Sequence, residues 1–465
     1  YALNTSRALR PYDNDGFYET YRQNWAPFNI LNELDNNNMT LDVKDIKLQA
    51  DFEYKLMDGL KFNSSAALRY VISDRDHDVR EGSNVVQAFR AAETTVVKDQ
   101  NIYLYQDPDH LDGEKEVVLK DGGIWYRYQN KMTAINWRNS FSYDKIFGKN
   151  GQHEINAFAG SEIRVIDRDF SAQDTYGIMY DNGYLGNPNH KLYRKLFAEG
   201  DALFKRGYEK ERNVGFFARV NYTYDGKYTA SLTGRYDASN QQGQSGAMWL
   251  PTWTASGKWN IIQEEWMMNQ TTFSDLSLRG SYGLTATAGP ASNSSAVFKN
   301  ALTVSRFDPN TREVGMQIEN LKNGDLTWEK QYEANIGLDM GLFKNRIYLS
   351  TDIYQRQAFD LVDQVRTSGI GGETYKWGNN ADMTTKGVEL SLTTRNIDTK
   401  SFKWTSNLNV SYYDQKIKKL SYTPRAFDLI AKTGGNVVGK PRNVLYSYEF
   451  TGLNSEGLPT YVMAD

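Results

Sequence analysis

Cysteine is absent from the 465 residues of the chain. Its absence excludes disulfides, thiol catalysis and cysteine-ligated metal sites together, although it does not fix the cellular compartment. Long apolar runs are also missing, because no stretch reaches the roughly 18 apolar residues that a transmembrane helix needs. Lys and Arg together number 54, against 57 Asp and Glu. Without a basic excess, nothing in the composition indicates a nucleic-acid partner.

Motifs for catalysis and cofactor binding are missing as well. None of the four histidines stands in a zinc-binding spacing. No nucleophile-elbow, phosphate-binding or dinucleotide-binding glycine motif occurs. Carboxylates cluster near 74–78 and 107–114, where a calcium loop is the alternative to a solvated acidic loop. We favour the solvated loop, and we expect no catalytic residue, no metal and no cofactor.

Alternation of apolar and polar residues is the strongest signal that the sequence does contain. Between Val214 and Tyr222, and again after Tyr228, the even positions are mainly apolar and the odd positions mainly polar. This period predicts strands with one apolar and one polar face. Similar segments predict about twelve strands, the strong ones near 46–54, 60–70, 276–282, 328–340, 388–392 and 402–412, and the weaker ones near 135–143, 155–163, 249–259 and 347–354.

The hairpin turns can be derived from the same alternation. Opposed residues share a face, so two strands that are both apolar at even positions need a loop of odd length. Tyr224-Asp225-Gly226 supplies such a loop, pairs Thr223 with Lys227, and places glycine at the left-handed position. The same argument predicts a loop at Met57-Asp58-Gly59.

Short and long connections alternate along the chain. Short turns fall near 57–59, 145–152, 224–226, 341–346 and 396–400, and longer segments fall near 74–125, 167–212, 239–248, 285–326 and 360–384. The alternation is complete if 261–273 counts as short. A membrane barrel has this arrangement, with short periplasmic turns and long extracellular loops. The sequence therefore predicts an all-β fold, a transmembrane antiparallel β-barrel of which about twelve strands are present.

Aromatic side chains in and beside the longer segments are the candidates for ligand contact. Tyr176, Tyr180 and Tyr184 lie in one segment, and Trp249 and Trp377 adjoin others. Such rings stack on the apolar faces of sugars or hold peptide side chains. The alternative, which we favour for any single ring, is that it packs the loops together.

A series of motifs resembles one known family, most closely from about 213 to 465. The motifs are Arg219–Tyr228, Arg235–Ser239, Leu250–Trp253 with Gly257–Trp259, Leu278–Gly283, Asn323–Lys330, Asn335–Asp339, Gly387–Leu390, Phe402–Trp404, Gly439–Pro441 and Tyr446–Tyr448. In order and spacing they resemble the SusC/RagA-like TonB-dependent importers of the bacterial outer membrane. Ala238 stands where that family usually has glycine.

The resemblance implies a function and a set of partners. It implies multi-pass residence in the outer membrane, among lipid and lipopolysaccharide, and import of oligosaccharides, glycans or oligopeptides. A SusD-like surface lipoprotein would act as the lid, and TonB would supply energy through a plug. The polar lumen wall would include Arg219, Arg235, Asp237 and Arg279.

The extent of the chain is a further expectation from the resemblance. Family barrels have about 22 strands, so residues 1–465 are expected to form part of one barrel domain. We expect the plug domain and signal peptide to lie outside this chain. Two alternatives remain open at this point: an outer-membrane barrel enzyme, and a soluble β-rich glycan-binding protein.

Overall fold

In the computed structural model, most of the described residues are in β-strands. The structure describes residues 9–183, 185–186, 189–199, 201, 203–241, 248–287, 297–304, 312–320, 326–369, 375–430 and 434–462. The helices are short: α1 (Ile30–Asn36), α2 (Asn84–Arg90), α3 (Thr95–Gln100), α4 (His190–Glu199) and α5 (Ala426–Leu429). Within the described ranges, no helix combines the length and apolar character needed to cross a bilayer.

The strands account for most of the described chain. In chain order they are β1 (Tyr21–Gln23), β2 (Ala26–Phe28), β3 (Asn37–Met57), β4 (Leu60–Val79), β5 (Gly123–Phe147), β6 (His153–Met179), β7 (Leu185–Gly186), β8 (Phe204–Tyr224), β9 (Tyr228–Ser239), β10 (Trp249–Asn260), β11 (Phe273–Thr287), β12 (Val297–Val304), β13 (Arg312–Asn320), β14 (Glu329–Leu342), β15 (Ile347–Arg366), β16 (Tyr375–Asp398), β17 (Lys403–Leu420), β18 (Phe450–Leu453) and β19 (Pro459–Tyr461).

Twelve of these strands form one continuous antiparallel series. The order is β17-β16-β15-β14-β11-β10-β9-β8-β6-β5-β4-β3, with β7 paired to β6 at the side. The pairs β1-β2, β12-β13 and β18-β19 form separate two-stranded sheets. The prediction of about twelve antiparallel strands is therefore confirmed.

The strands are longer than the alternation predicts. β5 has 25 residues, β6 has 27 and β16 has 24, whereas about 9–11 residues cross a bilayer. Much of the segments 167–212 and 360–384, which the sequence assigned to loops, is therefore strand. The prediction failed there because backbone hydrogen bonds hold a strand whether or not its faces alternate in polarity.

The hairpin between β8 and β9 corrects one predicted register. Tyr224 lies opposite Tyr228 and Thr223 opposite Thr229, so the loop is 225–227 and not 224–226. Asp225 has a φ of 53° and Gly226 a φ of 67°, and the Lys227 amide donates to the Tyr224 carbonyl. The shift is two residues, so every side chain keeps its predicted face.

The first hairpin keeps the predicted faces. β3 ends at Met57 and β4 begins at Leu60, so Asp58 and Gly59 lie between the strands. Across the two strands Lys61 pairs with Glu53 and Arg69 with Asp45, so residues of equal parity share a face, and Gly59 has the predicted left-handed φ, 82°.

The chain divides into two compact units. Unit 1 contains residues 1–49, 67–135 and 165–210, and unit 2 contains residues 50–66, 136–164 and 211–465. Unit 1 has its own apolar core, in which side chains of α2 and α4 pack with those of neighbouring strands and loops. The core residues are Val79, Val86, Phe89, Tyr105, Val118, Leu119, Ile124, Tyr176, Leu192, Leu196 and Leu203.

Candidate functional site

Strand register in unit 2 unites polar side chains on a single face of the sheet. Asn221 on β8 lies opposite Ser231, which lies opposite Ser256 on β10. Ser256 lies opposite Ser281, and Ser281 opposite Asn335 on β14. Because directly opposed residues share a face, one polar row crosses five strands. The register continues through β15, β16 and β17.

The four residues expected to face the lumen lie on this polar face. Arg219 is two residues from Asn221 and lies opposite Thr233, and Arg235 and Asp237 alternate with the other face on β9. The Arg235 Nε lies 2.7 Å from an Asp237 carboxylate oxygen. Arg219 donates from Nε to the Asn221 side-chain oxygen at 3.0 Å. The structure thus brings Arg235 and Asp237 into direct contact.

Arg279 belongs to a separate charge network on the same face. Its guanidinium lies 3.1 Å from an Asp339 oxygen and 2.6 Å from an Asp352 oxygen. Ser350 joins the network by donating its hydroxyl hydrogen to Asp339. Sequence reasoning named Arg279 but not these carboxylates as its partners. The alternation in the sequence predicts that these carboxylates lie on a polar face. It does not predict that β11, β14 and β15 are neighbours, which is what brings the carboxylates to Arg279.

A glycine makes the Arg279 network possible. Gly337 lies opposite Arg279 on β14 and opposite Asp352 on β15. A Cβ atom at this position would lie 2.7 Å from both the Arg279 Cζ and an Asp352 carboxylate oxygen. Only a residue without a side chain leaves the space that the guanidinium crosses.

The opposite face of the unit 2 sheet exposes large apolar side chains. Ile336 is 64% exposed and Ile353 is 58% exposed, and they lie opposite each other on β14 and β15. Further exposed members of this face are Phe216, Val220, Leu232, Leu278, Val388, Leu408 and Val410. A face with so much exposed apolar surface is unsuited to water and suited to lipid.

Aromatic rings mark the strand ends near the short connections. Tyr224 and Tyr228 flank the 225–227 turn, and Trp259 lies opposite Tyr228 with its ring stacked at 6.4 Å. In the turn region after β10, Glu264 accepts hydrogen bonds from the Tyr228 hydroxyl and the Trp259 indole. These bonds hold the pKa of Glu264 below its usual range. Membrane barrels carry aromatic girdles of this kind at the lipid–water boundary.

Tyr176 is not a loop residue, contrary to the sequence-based expectation. It lies in β6 and is 7% exposed. Its ring is part of the unit 1 core and meets the Phe89 and Tyr126 rings edge-on. A ring enclosed in this way packs the protein and has little surface for a ligand.

Tyr180 follows β6 in a single turn of 3-10 helix, Tyr180–Asn182. Its hydroxyl donates to the Ile124 carbonyl at 2.7 Å, and Arg80 lies over its ring. Burial raises the pKa of Tyr180 above its usual value. The ring is half-buried and fixed in place. Tyr184 lies outside the described residues.

The two candidate tryptophans are strand residues. Trp249 begins β10 and stacks on Tyr236 with ring centroids 4.8 Å apart. Its register, opposite Ala238, places it on the apolar face and away from Arg235 and Asp237. Trp377 lies within β16, opposite Gln364, and is half-buried.

The acidic segment 107–114 is held by cations of the chain itself. Arg194 of α4 contacts both Asp107 and Asp109, and Lys98 of α3 contacts Glu114. The Asp109 backbone amide donates to Asp107 and lowers the pKa of that carboxyl. Within the described ranges, no three His, Cys, Asp or Glu side chains are grouped so as to hold a metal ion.

Comparison with known sequences identifies relatives of this two-faced sheet. Residues 1–461 match the family described as TonB dependent receptor-like, beta-barrel. The chain is 26% identical over 326 residues to TonB-dependent receptor P26 of Formosa agariphila, covering 68% of this chain and 31% of the relative. It is 27% identical over 361 residues to the TonB-dependent receptor SusC of Bacteroides thetaiotaomicron, covering 73% and 34%.

Comparison with solved structures agrees on the fold. The RagAB peptide transporter structure superposes with a TM-score of 0.74 at 19% identity, over 97% of this chain and 47% of that chain. The "open-open" state of the RagAB peptide importer superposes with a TM-score of 0.73. The chain spans about a third of the length of the curated relatives that it matches.

These comparisons decide between the alternatives left open by the sequence. The matched family consists of outer-membrane receptors and transporters and not of enzymes. Its barrel fold also excludes a soluble β-rich binding protein. The exposed apolar face, the polar face and the family match together lead to one assignment: the chain belongs to the TonB-dependent receptors of the outer membrane and has their β-barrel fold.

Proposed function

We propose that the chain forms part of the wall of an importer that takes up oligosaccharides, glycans or oligopeptides across the outer membrane. Residues 1–465 would be part of one barrel domain. A SusD-like lipoprotein would close over the barrel, and TonB would supply energy through a plug. SusC and the RagAB peptide transporter, to which the chain is similar, support a nutrient of one of these classes.

The observation that carries this proposal is the division of the unit 2 sheet into two chemically different faces. Large exposed apolar side chains on one face are suited to lipid, and the Arg235 and Arg279 charge groups occupy the other. A polar inner wall can form hydrogen bonds with a hydrophilic ligand and with the plug domain of the barrel. An apolar inner wall could not. Arg219, Arg235, Asp237 and Arg279 are proposed to line the lumen.

Ligand contact is proposed for Tyr180 and Trp377, which the structure buries only in part. The proposal also keeps Tyr184, which lies outside the described residues. Tyr176 packs a core and Trp249 lies on the apolar face, so the proposal favours the other three candidates over these two. Tyr and Trp suit sugars and peptides alike because each ring combines a flat apolar face with a polar edge.

Uptake by cells that carry the full-length receptor tests the function. A strain lacking the receptor would be supplied with either the parent gene or none, and the entry of labelled oligosaccharides and oligopeptides would be measured. Uptake of one ligand class should require both the receptor and TonB. Entry that continues unchanged without TonB would contradict energised import.

The lipoprotein partner needs a separate measurement. The receptor, extracted from outer membranes under mild conditions, should co-purify with a surface lipoprotein in a constant ratio. Removal of that lipoprotein should reduce uptake at low ligand concentration more than at high concentration, because a lid contributes to ligand capture. Uptake that is equally efficient without it would leave the receptor active alone and refute the lid.

A further inference from the structure

Unit 1 contains a cleft whose polar side chains can all donate hydrogen bonds. It has a volume of about 490 Å³ and is lined by residues of β5, β6 and β8. The polar residues that line it are Arg127, Gln129, Ser171, Gln173, Lys205 and Arg206. Three of the six carry a positive charge, and no carboxylate is among its lining residues in the part of the chain that the structure describes.

A carboxylate beside the cleft holds two of the donors in place. The Gln129 amide donates to Asp74 at 2.6 Å, and the Arg127 guanidinium lies 3.4 Å from the same Asp74 oxygen. Arg206 differs, since it is exposed and has no ion pair within the described residues. Lys205, its neighbour on β8, interacts electrostatically with Asp174 of β6. The positive charge that remains available at the β8 side of the cleft is therefore that of Arg206.

We propose that this cleft binds a sulfate or phosphate group carried by a saccharide. Guanidinium groups match such oxyanions because several N–H donors converge on the anion in one plane. Phe204, which also lines the cleft and is 74% exposed, offers an apolar surface on which a sugar ring can stack. The volume lies in the usual range for small-molecule sites, so it accommodates a charged sugar unit.

Two sources could present this group. One is a free anionic oligosaccharide, and the other is the phosphorylated sugar of a lipopolysaccharide in the same membrane. Strand alternation on β5 puts Arg127 and Gln129 on the same face as Ile135, which is 47% exposed. An exposed apolar side chain on that face suits contact with lipid, which is where a lipid-borne sugar would be presented. The cleft's chemistry is the same for both, and it does not depend on whether the receptor imports a nutrient.

Binding to the full-length receptor in detergent tests the anion preference. The probes are sulfated, phosphorylated and unmodified N-acetylglucosamine, measured by calorimetry. The double variant Lys205→Gln/Arg206→Gln should weaken binding of the charged sugars at least about ten-fold, since each lost charged hydrogen bond has an effect of this order. Lys210→Gln, on the same strand but outside the cleft, should bind like the parent.

The conservative variant Arg206→Lys tests whether a loss of binding in the double variant reflects lost charge or a misfolded protein. Arg206→Lys keeps the charge and should retain most of the affinity, while the unmodified sugar should bind weakly to every variant. Equal binding of charged and unmodified sugars by the parent, or parent-like binding by the double variant, would overturn the proposal.

Vesicles separate the two sources. The receptor would be reconstituted with and without lipid A, and the lipid retained after washing would be measured for the parent and the double variant. A loss of retained lipid A in the double variant assigns the cleft to lipopolysaccharide. Unchanged lipid A, together with weakened binding of soluble charged sugars, assigns it to a free saccharide. If neither changes, the cleft is not an oxyanion site.

Discussion

The guanidinium of Arg279 on β11 reaches the carboxylate of Asp352 on β15, at 2.6 Å, by crossing the intervening strand at Gly337. The three residues lie in one row of the sheet, because Gly337 is opposite both of the others. The charge pair thus joins strands that do not hydrogen-bond to each other. A glycine in the middle strand is the condition for this contact.

Replacement of Gly337 by alanine should break that contact. The added Cβ would lie 2.7 Å from the Arg279 Cζ, so the guanidinium must move from between its carboxylates. We expect a loss of about 1–3 kcal/mol in the free energy of unfolding, measured in denaturant titrations of the full-length protein in lipid.

Gly280→Ala is the matched control for this prediction. Gly280 lies on β11, where a Cβ would have no neighbour nearer than 3.9 Å, so stability should change by less than about 0.5 kcal/mol. Similar losses in both variants would mean that Gly337 acts through backbone conformation and not through the Arg279 network.

The two faces of β14 should respond differently to charge. Ile336→Arg places a cation on the exposed apolar face and should cost about 2–4 kcal/mol near the bilayer midplane. Asn335→Arg, one residue away on the polar face, should cost much less. Folding titrations into bilayers measure both values, and equal costs would refute the assignment of the apolar face to lipid.

Connections of different length should emerge on opposite sides of the membrane. An epitope within 107–114, between β4 and β5, should be accessible to antibody on intact cells. One inserted at Asp225-Gly226, between β8 and β9, should be accessible only after lysis, because short turns of bacterial barrels are periplasmic. The reverse accessibility would invert the topology and remove the ligand candidates from the outer surface.

Substitutions at Tyr176 and Tyr180 should distinguish a ring that packs the protein from a ring that contacts ligand. Tyr176→Ala removes a ring from the unit 1 core and should lower stability by about 3–5 kcal/mol. Tyr180→Phe removes only the hydroxyl that donates to Ile124 and should cost about 1 kcal/mol.

Ligand affinity of the purified receptor provides the second measurement. If Tyr180 contacts ligand, Tyr180→Ala should weaken binding by about 1–2 kcal/mol, beyond any effect of Tyr180→Phe. Binding that falls only in proportion to the folded fraction would assign Tyr180, like Tyr176, to packing.

Alternation let the sequence predict which residues share a face. Val220, Ile336 and Val388 are exposed on the apolar face, and Arg219 and Arg279 lie on the polar one. The prediction survived a wrong turn at 224–226 because an offset of two residues leaves faces unchanged. Face assignment is thus more robust than register.

Strand ends and cross-strand partners could not be predicted in the same way. β6 continues to Met179 through residues whose polarity no longer alternates regularly, so the sequence predicts a loop at Tyr176 where the structure has a strand. Asp352 and Arg279 are separated by many residues in the chain, and only the pairing of three strands brings them together. Long-range pairing is a tertiary property that local periodicity does not encode.

The order of strands in the main sheet has a consequence for how the protein assembles. Apart from the side strand β7 and the separate β12-β13 pair, each strand between the edge strands β3 and β17 hydrogen-bonds to the strand before it and the strand after it in the chain. Contacts are therefore close in sequence for so large a sheet, and closing each new pair requires only a modest loss of chain entropy. The sheet from β3 to β17 can therefore grow hairpin by hairpin from an existing edge.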